Sequence, residues 1–335
     1  MSYFQINLNA MKYLKFIIYF FACVLFVDSY AQTTPVKNGN AEQKVVRINP
    51  VKTDTNDPNY KKLNHSSKDK MFTPAAGTSK PLTADQINAK NFFVAGAKKS
   101  DSSDYHGAIV DYTKSLDLVK NPITYLKRAD ANRLVGNFDA AILDATEAMK
   151  LQPRLAGAYF IRGVSYYEKG EYMDAKSDLD SLLKRDRTNA TAFNFRAAVA
   201  FMTQDYKAAL TNYNEVVRLD SNFTEIYNNR GMMRHYLQDY KGAIQDYNVA
   251  LKENPDNAKS YNNRGLAFLM LKDVQSALAD FDKAVTLNDK YAEAYVNRGR
   301  AKNILGDQVG ACTDWQSAYS LGLEDSKELI MKYCK

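Results

Sequence analysis

Histidine and cysteine are scarce in this chain, three of each in 335 residues: His65, His106 and His235, and Cys23, Cys312 and Cys334. No histidine stands at ligand spacing from a cysteine or from another histidine, so the sequence offers no zinc site of the usual tetrahedral kind. Gly-x-Ser-x-Gly, Walker and Gly-x-Gly-x-x-Gly elements are missing as well, which removes the nucleophile elbow and the phosphate cradle. The expectation is a protein that is not an enzyme and takes no metal or other cofactor. Basic charge on the body of the chain is also lacking. The net charge is +7, but residues 1–31 carry +1 and residues 32–82 carry +5, nine Lys/Arg against four Asp/Glu. The remainder is close to neutral, whereas a nucleic-acid-binding fold concentrates its basic charge on the fold itself. A nucleic-acid partner is therefore not expected.

Long hydrophobic runs are rare too, and the one that stands out, Phe16 to Val27, is short. A spanning helix needs about 20 apolar residues. Lys12 and Lys15 precede this run and the small residues Ser29 and Ala31 follow it, the layout of a signal peptide cleaved after Ala31, with Met11 a better start than Met1. Lipoprotein processing at Cys23 behind Ala22 is the lesser alternative, because Phe20 is a poor residue at the −3 place. Export to the periplasm or beyond is expected. From residue 32 to 82 the chain is polar and broken by Pro35, Pro50, Pro58, Pro74 and Pro81. A segment so poor in apolar side chains is expected to stay disordered, as a basic tether, with anionic envelope components as its possible contacts.

What the chain has in excess is tyrosine, 23 residues, and the excess is periodic. Tyr227-Asn228-Asn229-Arg230-Gly231 returns 34 residues later as Tyr261-Asn262-Asn263-Arg264-Gly265 and again as Tyr295-Val296-Asn297-Arg298-Gly299. The arginine recurs at Arg128, Arg162, Arg196, Arg230, Arg264 and Arg298. Three residues before it stands an aromatic residue, one after it Gly or Ala, and thirteen after it always alanine, from Ala141 to Ala311. Seventeen after it come Ala145, Leu179, Tyr213, Tyr247, Phe281 and Trp315. Turn pairs such as Gly136-Asn137 and Gly306-Asp307 separate the two apolar clusters, and Pro153 and Pro255 fall where a second helix should stop. Each period reads as helix, tight turn, helix, beginning at the Thr83-x-x-Gln86 capping box.

This pattern resembles the tetratricopeptide repeat (TPR) family, and an earlier unit at 86–119 fits it with Phe92, Gly96, Ala108 and Tyr112, though Ala95 occupies the arginine slot. The resemblance implies an all-α, right-handed α-solenoid of about seven repeats over 83–322 with a concave groove. Residues 323–335 read as one further helix capping the last repeat. Folding that helix back on its neighbour brings Cys334 near Cys312, and a disulfide between them is expected in an oxidising compartment.

Sixteen residues after each arginine sit Asp144, Asp178, Asn212, Asp246, Asp280 and Asp314. We read Arg128, Arg162, Arg230, Arg264 and Arg298 as braces to their aspartates, since guanidinium geometry suits a bidentate carboxylate in a partly buried seam. Groove contacts are expected from Asn194, Asn228, Asn229, Asn262, Asn263, Asn297, Tyr167, His235 and Arg300. An asparagine amide can pair with both polar groups of an extended peptide backbone. The slots of Asn229, Asn263 and Asn297 are similar to the asparagine ladder in the TPR superhelix of O-linked N-acetylglucosamine transferase, but Lys127, Ile161 and Phe195 break it. The Lys/Asn/Lys/Arg clamp of chaperone-binding TPR proteins is absent. The partner expected is a protein or peptide held on a non-catalytic scaffold, with an envelope structural component acting through its convex face or basic tail as the alternative.

Overall fold

The structure is a computed structural model, and it describes residues 81–220 and 225–334. The expected signal peptide and almost all of the expected linker lie outside the described residues. The described helices belong to one compact unit, Arg47–Lys335. Among the described residues there are fifteen α-helices and no strand. They alternate as a first and a second helix: α1 (Ala84–Asp101) with α2 (Tyr105–Leu118), α3 (Pro122–Leu134) with α4 (Phe138–Leu151), α5 (Ala156–Lys169) with α6 (Tyr172–Leu183), α7 (Ala190–Met202) with α8 (Tyr206–Leu219), α9 (Glu225–Tyr236) with α10 (Tyr240–Glu253), α11 (Ala258–Met270) with α12 (Val274–Leu287), and α13 (Ala292–Ile304) with α14 (Gln308–Ser320). An eight-residue helix, α15 (Ser326–Tyr333), packs on α14. Each helix contacts its own partner and the helix that follows, so the array is a solenoid of nearest-neighbour contacts.

The boundaries follow from local chemistry. The Thr83 and Gln86 side chains each accept from the other residue's backbone N–H and start α1. Asp104, Asp205, Asp239, Asp273 and Asp307 cap second helices by accepting the backbone N–H three residues on. Between the helices of every pair one residue takes a left-handed φ: Ser103, Gly136, Gly170, Gln204, Gln238, Lys272 or Gly306. Inside each pair the side chain at the Tyr112, Ala145, Leu179, Tyr213, Tyr247, Phe281 and Trp315 position is buried against the first helix. The first helix yields room there: a Cβ on Gly265 would stand 2.7 Å from Phe281, and one on Gly299 would stand 2.6 Å from the Trp315 indole nitrogen.

Cys312 and Cys334 are disulfide-bonded, with Cα atoms 5.6 Å apart, inside the roughly 7 Å limit for such a bond. The bond ties α14 to the end of α15, where Tyr333 lies against Trp315 with ring centroids 5.5 Å apart.

Candidate functional site

The recurring arginines lie in the seam between paired helices. Arg128, Arg162, Arg230, Arg264 and Arg298 each donate two bonds, from Nε and Nη2, to Asp144, Asp178, Asp246, Asp280 and Asp314, at 2.6–3.0 Å. Side chains i and i+16 meet because the tight turn folds the second helix back along the first. Four of these guanidiniums, all but that of Arg162, also stand 5.2–5.7 Å from the ring of the tyrosine three residues earlier. Hydrogen bonds to the aspartates hold the Arg162, Arg264 and Arg298 protons more tightly than an ordinary arginine does.

The remaining nitrogen reaches backwards. Nη1 of Arg128 and of Arg162 donates to Thr113 and Thr146, that of Arg230 and Arg264 to Asn214 and Asn248, and that of Arg298 to Asp282. All five acceptors sit on the second helix of the preceding pair. Arg196, whose own slot holds Asn212, instead meets Asp180 on that preceding helix at 2.9 Å. Sequence reasoning missed this column of acceptors, although from Thr146 to Asp282 its positions recur every 34 residues, two after the aspartate slot. In the first pair, where Ala95 replaces the arginine, Lys99 one turn later bonds Asp111 at 2.7 Å.

The asparagines divide. Asn194 is buried, and neither its amide nitrogen nor its oxygen has a hydrogen-bond partner. Asn262 and Asn297 are buried and bonded to each other at 2.9 Å, with Arg300 donating weakly to Asn297. Asn228 is half-buried and accepts from Ser260 of the next pair. Three amides expected to face a partner, those of Asn194, Asn262 and Asn297, are buried instead. Successive first helices approach closely enough to enclose them, and the amides of Asn228, Asn262 and Asn297 join neighbouring repeats. Asn229 and Asn263 are half-buried and keep accessible surface. Tyr167 is buried and contributes its ring to an inner stack with Phe195 and Tyr172.

His235 lies among aromatic rings at the turn edge of the central repeats. Its ring is 5.2 Å from that of Tyr240, and its buried Nδ1 has no hydrogen-bond partner. Burial in that apolar setting pushes its pKa down to about 4. Next to it Tyr206 and Tyr236 stack at 4.5 Å with an 8° interplanar angle, and Phe201 touches both. These rings are partly exposed. The column Tyr172, Tyr206 and Tyr240, which opens three second helices, is a second feature the sequence reasoning passed over. No cluster of His, Cys, Asp and Glu able to hold a metal occurs among the described residues.

The geometry defines a class, a solenoid of stacked helix-turn-helix units. Family models place TPR repeats at residues 162–222, 231–272 and 258–291, and the pairs outside those limits have the same helix-turn-helix form. The chain thus carries TPR repeats at the matched residues. Among solved structures, a TPR protein from Parabacteroides merdae is 20% identical over 74% of this chain and all of its own, with a TM-score of 0.54. The C-terminal part of a TPR protein from Cytophaga hutchinsonii is 17% identical over 69% of this chain and 95% of its own, at 0.58. YrrB, described as a TPR protein with an unusual peptide-binding site, is 24% identical over 55% of this chain and 95% of its own, at 0.51. These likenesses concern the fold. Among curated relatives, small glutamine-rich tetratricopeptide repeat-containing protein 2 of Mycosarcoma maydis is 32% identical over 110 residues, 32% of this chain and 31% of its own. Sperm-associated antigen 1 of Homo sapiens is 33% identical over 97 residues, 29% of this chain and 10% of its own. The chain spans less than a third of the length of these curated relatives.

Proposed function

We propose that this protein is an exported, non-catalytic scaffold that holds an extended segment of a protein partner along the first helices and the turn edge of its central repeats. The observation that carries the reading is the partly exposed edge of Phe201, Tyr206, Tyr236 and Tyr240 around His235. Rigid aromatic side chains supply large contact area at low entropic cost and dominate interface energetics. Asn229 and Asn263, on the first helices α9 and α11, add amides for a peptide backbone. The peptide-binding description of the structurally similar YrrB supports the same use of the fold. Export rests on the basic start, apolar run and Ser29-Tyr30-Ala31 ending of residues 11–31, and the Cys312–Cys334 bond is in keeping with an oxidising compartment.

Co-purification from the native envelope followed by mass spectrometry identifies the partner, and the Tyr206→Ala/Tyr236→Ala variant tests the surface. Loss of two anchor rings worth about 2 kcal/mol each is expected to weaken binding by roughly 1,000-fold. Undiminished capture by the folded variant, together with loss of capture on deleting residues 32–80, would shift the function to the basic tail. A mature protein whose mass does not begin at Gln32 overturns cleavage after Ala31.

A further inference from the structure

We infer that the Cys312–Cys334 disulfide is a thiol-operated latch that holds the terminal helix α15 over the end of the solenoid, and that its reduction uncovers an apolar end face. Four observations on α15 converge. It has eight residues, against twelve to eighteen for the other described helices, and its first turn has no side-chain cap. Isolated helices shorter than about 12–15 residues are marginal in water. Its apolar anchorage is small: Leu329 is the one buried hydrophobic residue, helped by the partly covered Ile330 and Tyr333. Beyond the covalent bond, α15 is held by the Tyr333 ring on Trp315 and by the Gln308 amide donating to the Tyr333 carbonyl.

What the helix covers is strongly apolar. Trp315, Ala318 and Val296 are almost completely buried in the cluster that Leu329 completes. With Cys312 held in α14, which ends at Ser320, the bond closes the roughly 14 residues up to Cys334 and favours the docked helix by roughly 100-fold through chain entropy. The weak anchorage of α15 leaves that factor to decide between docked and released. Both cysteines are partly exposed, so a small thiol reaches the bond. The step balances: the Sγ–Sγ bond breaks, two thiols of the reductant supply two electrons and two protons, Cys312 and Cys334 each become a thiol, and the reductant becomes a disulfide.

Trp315 is the single tryptophan of the chain and lies directly beneath the latch, so its fluorescence reads the cap alone. The full chain is treated with dithiothreitol without denaturant. Two further cysteines becoming open to alkylation, a red shift of the Trp315 emission, several-fold stronger acrylamide quenching and a nearly unchanged far-ultraviolet helix signal are expected. The Cys312→Ser/Cys334→Ser variant should show the red-shifted, quenchable emission without reductant and no response to it. Unchanged emission after complete reduction, or a serine variant that emits like the oxidised protein, overturns the latch. So does a helix signal that collapses together with the fluorescence, because the bond would then support the whole array and not its terminal helix.

Discussion

Replacing Asp246 by alanine should cost about twice as much as replacing the arginine it serves. The Asp246 side chain is only 3% exposed; it accepts from Nε and Nη2 of Arg230, at 3.0 and 2.6 Å, and forms an ion pair with Nη1 of Arg234, at 3.0 Å. Removing it takes the carboxylate from two guanidiniums whose side chains are 13% and 22% exposed, leaving Arg230 with Asn214 and Arg234 with the Gly242 carbonyl and a longer pairing to Asp239. Breaking a buried pair by deleting one partner costs about 3–5 kcal/mol, and the partial exposure of the arginines puts Asp246→Ala near the middle, about 4 kcal/mol. Arg230→Ala removes two charge-assisted bonds but leaves Asp246 paired with Arg234, so the expected cost is about 2 kcal/mol. Asp178 offers the control. Among the described residues it is bonded by Arg162 alone, and Arg162→Ala and Asp178→Ala should therefore cost nearly the same, about 3 kcal/mol each. Urea denaturation followed by far-ultraviolet circular dichroism on the four variants measures the order. At about 2–4 °C per kcal/mol, Asp246→Ala should melt about 8–16 °C below the wild type. The reasoning is refuted if Asp246→Ala costs no more than Arg230→Ala, or if Arg162→Ala and Asp178→Ala differ as widely as the other two.

Two further outcomes are expected. Gly299→Ala forces a Cβ to 2.6 Å from the Trp315 indole, whereas Gly163→Ala meets its nearest atom, the Asp178 Cβ, at 3.2 Å. Calorimetry should find the first destabilised by about 1–3 kcal/mol and the second neutral or stabilised by up to about 1 kcal/mol through helix propensity. His235 binds its proton less readily folded, with a pKa of about 4, than unfolded, at about 6.5. The unfolded chain thus holds more protons between these values, and stability that is intact above pH 6.5 falls as pH drops towards 4, by at most about 3 kcal/mol. His235→Phe keeps the apolar contact without the titration, so the wild-type-minus-variant melting difference should decline from pH 7 to pH 4.5. A pH-independent difference contradicts the burial argument.

The parts of this molecule that could be read in the sequence are those whose chemistry is uniform down a 34-residue column. Arginine, its aspartate sixteen residues on, the invariant alanine and the glycine before a bulky side chain each repeat one residue type for one physical reason. The backward acceptors Thr113, Thr146, Asp180, Asn214, Asn248 and Asp282 escaped because the seam asks only for an oxygen, which threonine, asparagine and aspartate all provide. The asparagines were misjudged for a different reason. Helical register places Asn194, Asn262 and Asn297 beside the core face, but it does not say how closely consecutive first helices approach, and that distance decides whether an amide meets solvent or its neighbour. The cysteines were legible because two helix lengths and one turn fix which residues of an antiparallel pair stand opposite.

The two-way reach of the arginines bears on how such an array can lengthen or shorten. A slice of 34 residues carries a forward acceptor for its own arginine and, two positions later, a backward acceptor for the next. Duplicating or excising one whole slice rejoins donors to acceptors of the same kind, and the junction tolerates a one-residue difference, since Arg128 still reaches Thr113 from 15 residues away where the later arginines span 16. Ala95 shows the boundary condition. No described second helix precedes it, the slot is filled by a methyl group, and Lys99 inherits the aspartate. Copy number is thus an adjustable quantity in this fold, counted in units of one arginine.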